Sequence, residues 1–151
     1  MSAAQGAPPE ALEGVVRELH HVAIVVPDID SARAVYEDAL GLSGGEVEHV
    51  PAQKVDVLVL YAGGQRIELV APASEDSPVT GFLAKRGGGL HHLAWRVDDI
   101  EAALERLRAR GLRLIDEEPG PGAHGTRVAF VHPKSTGGVL TELVEDPARA
   151  S

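Results

Sequence analysis

One segment of this chain is written twice. Placing HHVAIVVPDIDSARA (residues 20–34) over HHLAWRVDDIEAALE (91–105) pairs His20 with His91, His21 with His92, Ala23 with Ala94, Val26 with Val97, Asp28 with Asp99, Ile29 with Ile100 and Ala32 with Ala103. Seven identities in fifteen positions, all at an offset of 71, mark an internal duplication. The period is longer than the roughly 20–50 residues of solenoid and propeller repeats. The chain is therefore restricted to two copies of one unit, and two units that each expose an apolar sheet face pack or pair as a single domain.

Each copy reads the same way. A short apolar run (20–26, 90–97) ends at an acidic turn, where Asp28 or Asp30, and Asp98 or Asp99, are placed to cap a following helix. The helices SARAVYEDAL and IEAALERLRAR carry apolar residues at three- and four-residue spacing and stop at Gly41 and Gly111. Three strands follow in the first copy, over 44–50, KVDVLVLYA and QRIELVAP, with Gly63-Gly64 as a hairpin turn between the last two. In the second copy they are LRLIDEE, TRVAFVHP and GVLTELVE. Strand, helix and three strands, twice over, predict a single α+β domain over 18–147, with modules of about 18–86 and 87–147 joined near KRGGGL. Residues 1–17 are expected to form a flexible extension.

Composition narrows the function. A formal charge of -9 argues against binding to nucleic acid or to an anionic membrane, both of which need surplus Lys and Arg at the contact. An anionic small ligand would need a local basic patch. The absence of cysteine excludes disulfides, thiolate metal sites and a cysteine nucleophile, and fits a cytoplasmic location. No apolar run approaches the roughly 20 residues of a membrane span, and the N-terminal stretch has no secretory pattern. With only two Phe, two Tyr and one Trp, the core must be built mainly from Val, Leu, Ile and Ala.

The polar residues inside the strands carry the chemistry. Adjacent strand residues point to opposite faces, so the two histidines of a pair are expected to play different roles. A lone strand histidine is more often a hydrogen-bonded core residue than a ligand, and a lone glutamate is often the wet side of a strand. Here, however, each copy also carries a carboxylate in its last strand, Glu68 in RIELVAP and Glu142 in LTELVED. A matched set of imidazoles and carboxylates is what a divalent metal accepts.

The stretches LHHVAIVVPDID, IELVAP, GGGLHHLAWRVDDIEAAL, IDEEPGPGAHG and FVHPKSTGGVLTELVE, spanning about residues 19 to 146, resemble the methylmalonyl-CoA epimerases of the vicinal oxygen chelate superfamily. The duplicated module is shared with glyoxalases, ring-cleaving dioxygenases and antibiotic-resistance proteins. The run from GAHG to HPKSTGGVLTEL is more specific to the epimerase branch. The resemblance implies two tandem βαβββ modules forming a curled sheet around a metal cleft, in a homodimer acting on an acyl-CoA thioester. It puts metal ligands at His21, His92, Glu142 and Glu68, with Glu68 at a position where some members have glutamine, and leaves His91 structural.

Such a site suits inversion of the carbon between a carboxylate and a thioester. A cation bound by nitrogen and oxygen donors, whether cobalt, manganese, nickel or zinc, would offset the charge of the enolate. Two bases on opposite faces are the natural arrangement. Glu142 is the first candidate. The resemblance implies a glutamate on the third strand for the second, but counting across the hairpin puts Val57 there, with Asp56 facing away unless a bulge shifts the register. Glu68, His124 or a metal-bound water are the alternatives. In the loops GPGAHG and HPKSTGG, His124, Lys134, Ser135 and Thr136 are candidate substrate-binding residues, with Arg96 and Arg127 as nearby cations. Trp95 reads as core packing. The competing functions are a glyoxalase-like lyase or isomerase of a glutathione hemithioacetal and a non-catalytic resistance protein; for the latter, the few aromatics are poor material for a drug-binding cleft.

Overall fold

The computed structural model describes residues 14–149. Its elements are β1 (Val16–Val25), α1 (Ile29–Arg33) continued by a π-helical turn (Ala34–Ala39), β2 (Ser43–Gly44), β3 (Glu48–Val50), β4 (Val55–Ala62), β5 (Gln65–Pro72), α2 (Pro78–Arg86), β6 (Gly89–Val97), α3 (Ile100–Ala109), β7 (Gly120–Pro121), β8 (Arg127–Val131) and β9 (Thr141–Glu145). Of the extension expected over residues 1–17, residues 1–13 lie outside the described residues, and Val16 and Arg17 already belong to β1.

All nine strands form one mixed sheet in the order β2-β4-β5-β1-β6-β9-β8-β7, with β3 also pairing β4. At its centre the duplicated strands β1 and β6 run antiparallel, and each has a parallel neighbour, β5 and β9 respectively. The duplication is visible in the register. Ala23 of β1 lies beside Glu68 of β5, and its counterpart Ala94 of β6 lies beside Glu142 of β9.

Strand alternation sorts the core into two layers. On the convex face, Leu58, Leu60, Leu69 and Ile29 pack under α1, while Val97, Ile100, Leu104 and Leu143 pack under α3 together with Trp95, as core packing required. Full burial of each such Leu or Ile contributes on the order of 1.5–3 kcal/mol. The concave face is lined by smaller residues, Ala23, Val57, Val70, Ala94, Val128 and Val144. That size difference leaves room for a cleft.

Asp28 and Asp99 cap their helices, accepting from the Ser31 and Ala102 amides at 3.1 and 3.0 Å. Asp98 instead pairs with Arg17 and Arg96. Two elements differ from the sequence reading. LRLIDEE is not a strand: Leu114 makes one bridge to Val131, after which the Asp116 carboxylate accepts from the Phe130 amide at 2.8 Å. The chain turns away, and the edge position passes to the two residues of β7. Helix α2 was not expected, although Ser77 caps it, Pro78 opens it and Gly87, at φ 72°, closes it with a bond to the Leu83 carbonyl.

Candidate metal centre and cleft

Both histidine pairs sit at β-bulges. Between Leu19 and His21 the strand β1 advances two residues while β6 advances one; between Ala23 and Ile24 it is β6 that carries the extra residue. The extra residues are His20 and His91. A bulge breaks strict alternation, so neither pair is split cleanly between faces. The ring Nδ1 atoms of His20 and His21 are 2.7 Å apart, those of His91 and His92 are 2.8 Å apart, and His91 shares the wall of the cleft with His92. This corrects the expectation that His91 lies on the opposite face.

Beyond the bulges, His21, His92 and Glu142 converge. His21 Nε2 and His92 Nε2 are 3.4 Å apart, and Glu142 Oε1 lies 3.3 Å from the first and 3.2 Å from the second. All three side chains are buried. Donors bonded to one ion at about 2.0–2.2 Å are separated by distances of this size, so the set fits a metal ion. The fourth expected ligand, Glu68, lies on the cleft wall with Oε2 3.2 Å from His21 Nδ1, the ring nitrogen facing away from the other three donors. Exposed Asp99 and Glu101 and half-buried Glu145 also approach one another, but Arg127 neutralises Glu101 and Glu145.

The electrostatics follow from burial and neighbours. Burial disfavours a charged His21, but Glu68 and Glu142 outweigh it and raise its pKa. Burial likewise works against an ionised Glu142, yet the two imidazoles hold its pKa down at about 2. Glu68, with burial dominant, is pushed up. His20 is pushed down to about 4 by burial, against the pull of Asp146, whose Oδ2 is 2.7 Å from His20 Nε2. A neutral His20 that donates from Nε2 to Asp146 must accept at Nδ1 from His21 Nδ1–H. That leaves the lone pair of His21 Nε2 aimed at the three-donor site, the arrangement in which an imidazole binds metal. Arg66 bonds Asp146 at 3.1 Å and also contacts His20.

The cleft above the donors has a volume of about 450 Å³ and is walled by Val55, Val57, Val70, Val128, Phe130 and Leu140. Phe130 meets the His92 ring edge-on at 5.2 Å. The curled sheet closes where its two edges touch: His124, at φ 58°, donates its amide to both oxygens of Glu48 at 3.0 and 3.1 Å.

That contact reveals a residue the sequence reading missed. Glu48 lies directly across the β3–β4 ladder from Val57, so it shares Val57's concave face. The glutamate sought on β4 is on its three-residue neighbour. Asp56 points outward, as alternation required, with His49 Nδ1 at 3.0 Å from its carboxylate. A signal was present in GEVEHV, but its two glutamates gave no register.

The other candidates are dispersed. His124 is at the rim, engaged through its backbone. Ser135 Oγ accepts from the Arg113 amide, and the Thr136 hydroxyl donates to the Val139 carbonyl, so both hold the loop together. Lys134 stands on that loop, outside the cleft wall. Arg96 and Arg127 are paired with Glu18 and Asp98, and with Glu101 and Glu145, and are not free to meet substrate.

Residues 20–130 match the Glyoxalase/Bleomycin resistance protein/Dioxygenase superfamily, the class to which a duplicated sheet curled around histidines and carboxylates corresponds. The mitochondrial methylmalonyl-CoA epimerase of Mus musculus is 44% identical over 126 residues, 83% of this chain and 71% of the mouse protein. The crystal structure of methylmalonyl-CoA epimerase from Mycobacterium tuberculosis superposes with a TM-score of 0.85 at 40% identity, covering 90% of this chain and 92% of that one. A methylmalonyl-CoA epimerase solved in complex with methylmalonyl-CoA and NH4+ gives 0.83 at 34%, covering 90% and 99%. The chain belongs to this superfamily and, within it, to the methylmalonyl-CoA epimerase family.

Proposed function

We propose that this chain is a metal-dependent epimerase that interconverts (2R)- and (2S)-methylmalonyl-CoA. The observation that carries the reading is the convergence of His21, His92 and Glu142 within 3.4 Å at the base of a cleft that has Glu68 on its wall, with Glu48 on the same concave face as Val57. The relative solved with methylmalonyl-CoA supports the substrate.

His21, His92 and Glu142 would hold a divalent ion, with Glu68 as the fourth ligand. Cobalt, manganese, nickel and zinc all suit such donors. When bound, the ion supplies positive charge that lowers the cost of an enolate. The protein moves the proton. Glu142, ionised, is placed to take the α-proton on one face, and Glu48, on the concave face beside Val57, is the partner base on the other; the reverse reaction exchanges the roles. The Val and Phe walls exclude water, so the same carbon is reprotonated rather than the thioester hydrolysed. The family resemblance supports a twofold homodimer, which sedimentation at micromolar concentration tests; the absence of cysteine fits a cytoplasmic location. Among the described residues no helix is long and apolar enough to cross a membrane.

The decisive experiment is to incubate the protein with methylmalonyl-CoA in deuterated buffer. The α-proton exchanges and the epimers interconvert, activity disappears with chelator, and cobalt or manganese restores it. Glu48→Gln lowers kcat by roughly 10²-fold or more, the usual contribution of a positioned acid or base, while metal content is retained. Turnover of a glutathione hemithioacetal without exchange of methylmalonyl-CoA would overturn the reading.

A further inference from the structure

Glu48, the partner base, has little support from its own strand. It opens β3, which has three residues and pairs with β4 alone. Its side chain is long, flexible and 37% exposed, so nothing in β3 fixes where the carboxylate points. The fixing comes from the other module. Among the described residues, the polar contacts of the Glu48 carboxylate are all with His124: the amide donates to both oxygens at 3.0 and 3.1 Å, and the ring Nδ1 lies 3.7 Å from Oε1.

The turn that presents this amide is held from behind. Gly122 donates its amide to the Thr126 carbonyl at 3.0 Å, and the Thr126 amide and hydroxyl both donate to the Ala123 carbonyl, at 3.2 and 2.7 Å. Within this clasp His124 takes φ 58° and ψ 36°, a left-handed conformation that non-glycine residues keep only where their surroundings impose it. Thr126 is buried, and Ala123 packs against the valine layer that includes Val57, the residue across the ladder from Glu48. Gly122 leaves no space for a side chain: a Cβ there would stand 2.6 Å from Thr126 Oγ1 and 2.8 Å from Val128 Cγ1. Closure of the sheet is a weaker account of these features. Any side-chain contact between the borders would serve it, whereas here a braced backbone N–H spans both oxygens of one carboxylate.

Taking Glu48 as the partner base, we propose that the turn of residues 122–126 sets the position of its carboxylate, with His124 as the positioning residue. The second module thereby supplies the geometry for a proton transfer whose acid or base stands on the first. A main-chain donor confines the swing of the carboxylate without placing another side chain in the cleft. Displacing a reacting group by about 1 Å costs up to roughly 10²-fold in rate.

The test follows each pure epimer of methylmalonyl-CoA in deuterated buffer and reads α-proton exchange and inversion separately, in metal-loaded wild type, Gly122→Ala, His124→Val and His124→Gly. Gly122→Ala pushes the turn out of place, and a β-branched residue resists positive φ. Both variants lower inversion about 10- to 100-fold while one epimer goes on exchanging: Glu142 still removes its proton, gives it to solvent, and returns a deuteron on the same face. Glu48→Gln shows the same signature. His124→Gly, which keeps the N–H and accepts positive φ, recovers about tenfold of the loss seen in His124→Val. A turn that only held the fold together would depress exchange of both epimers in parallel, along with bound metal and the urea midpoint. Such parallel loss, wild-type inversion in both Gly122→Ala and His124→Val, or a His124→Gly no better than His124→Val overturns the assignment. Wild-type inversion in Glu48→Gln would instead remove Glu48 as the base, and the positioning role with it.

Discussion

The two copies of the duplicated segment agree at the metal site and differ one layer behind it. In both, a bulged histidine places its Nδ1 within 2.8 Å of the next histidine's Nδ1. Behind His20 stand buried Asp146 and half-buried Arg66, hydrogen-bonded to one another. Behind His91 stands the Phe82 ring, edge-on at 5.0 Å, and then open groove. Duplication preserved the contact that aims an imidazole, and each half then acquired a different backing. The first half became a rigid buttress. The second kept its outer side against an open groove.

The strongest way to break this comparison is at the shared layer. His21→Ala and His92→Ala each lower the affinity for cobalt by more than the roughly 10–100-fold that loss of an outer-layer partner costs, measured by competition with a chelating dye. Near-equal losses would show that the halves contribute alike, whereas a large difference would show that one histidine dominates. Next comes the buttress. Asp146→Asn leaves half-buried Arg66 without its counter-charge, costs about 1–3 kcal/mol of stability in urea denaturation, and weakens metal binding about tenfold by freeing the His20 tautomer. The matching change on the other side, His91→Ala, changes cobalt affinity by less than about threefold, since no carboxylate orients that ring. Equal effects of Asp146→Asn and His91→Ala on metal binding would erase the distinction.

The smallest effect concerns pH. Burial pushes both His20 and His91 down to about 4, opposed by Asp146 in the first case and reinforced by His92 in the second. Each folded pKa lies below the ordinary 6.5, so on acidification the unfolded chain takes up protons that the folded one refuses. In metal-free protein the stability present above pH 6.5 is therefore lost as pH falls toward 4, and His91→Gln flattens that loss in urea midpoints measured across the range. Ring-nitrogen NMR shows both histidines still neutral at pH 5; early protonation of either one would contradict the equal shift.

What the sequence disclosed was whatever the duplication printed locally. The offset of 71 identified both histidine pairs and the acidic turns from which Asp28 and Asp99 emerged as helix caps, while Gly63-Gly64 announced the β4–β5 hairpin. Contacts between distant segments were hidden. The bulges are relations between β1 and β6 rather than properties of either, so alternation alone put His91 on the wrong face. Asp146 reaches His20 across 126 residues. Glu48 was obscured because β3 has only three residues, too few to show a period. Helix α2 buries only Val79 and has Gly81 in its middle, so its apolar stripe is faint although its caps are legible.

The sheet's outermost strands have one more consequence. A long sheet that holds a cavity open must end somewhere, and an unpaired edge invites other chains to add strands to it. Here one border is split between β2 and β3, of two and three residues, and the other is β7, whose two residues include Pro121, which has no N–H to offer. With the Glu48–His124 contact drawing these borders together, the protein keeps a hollow, valine-lined interior without presenting a template for aggregation.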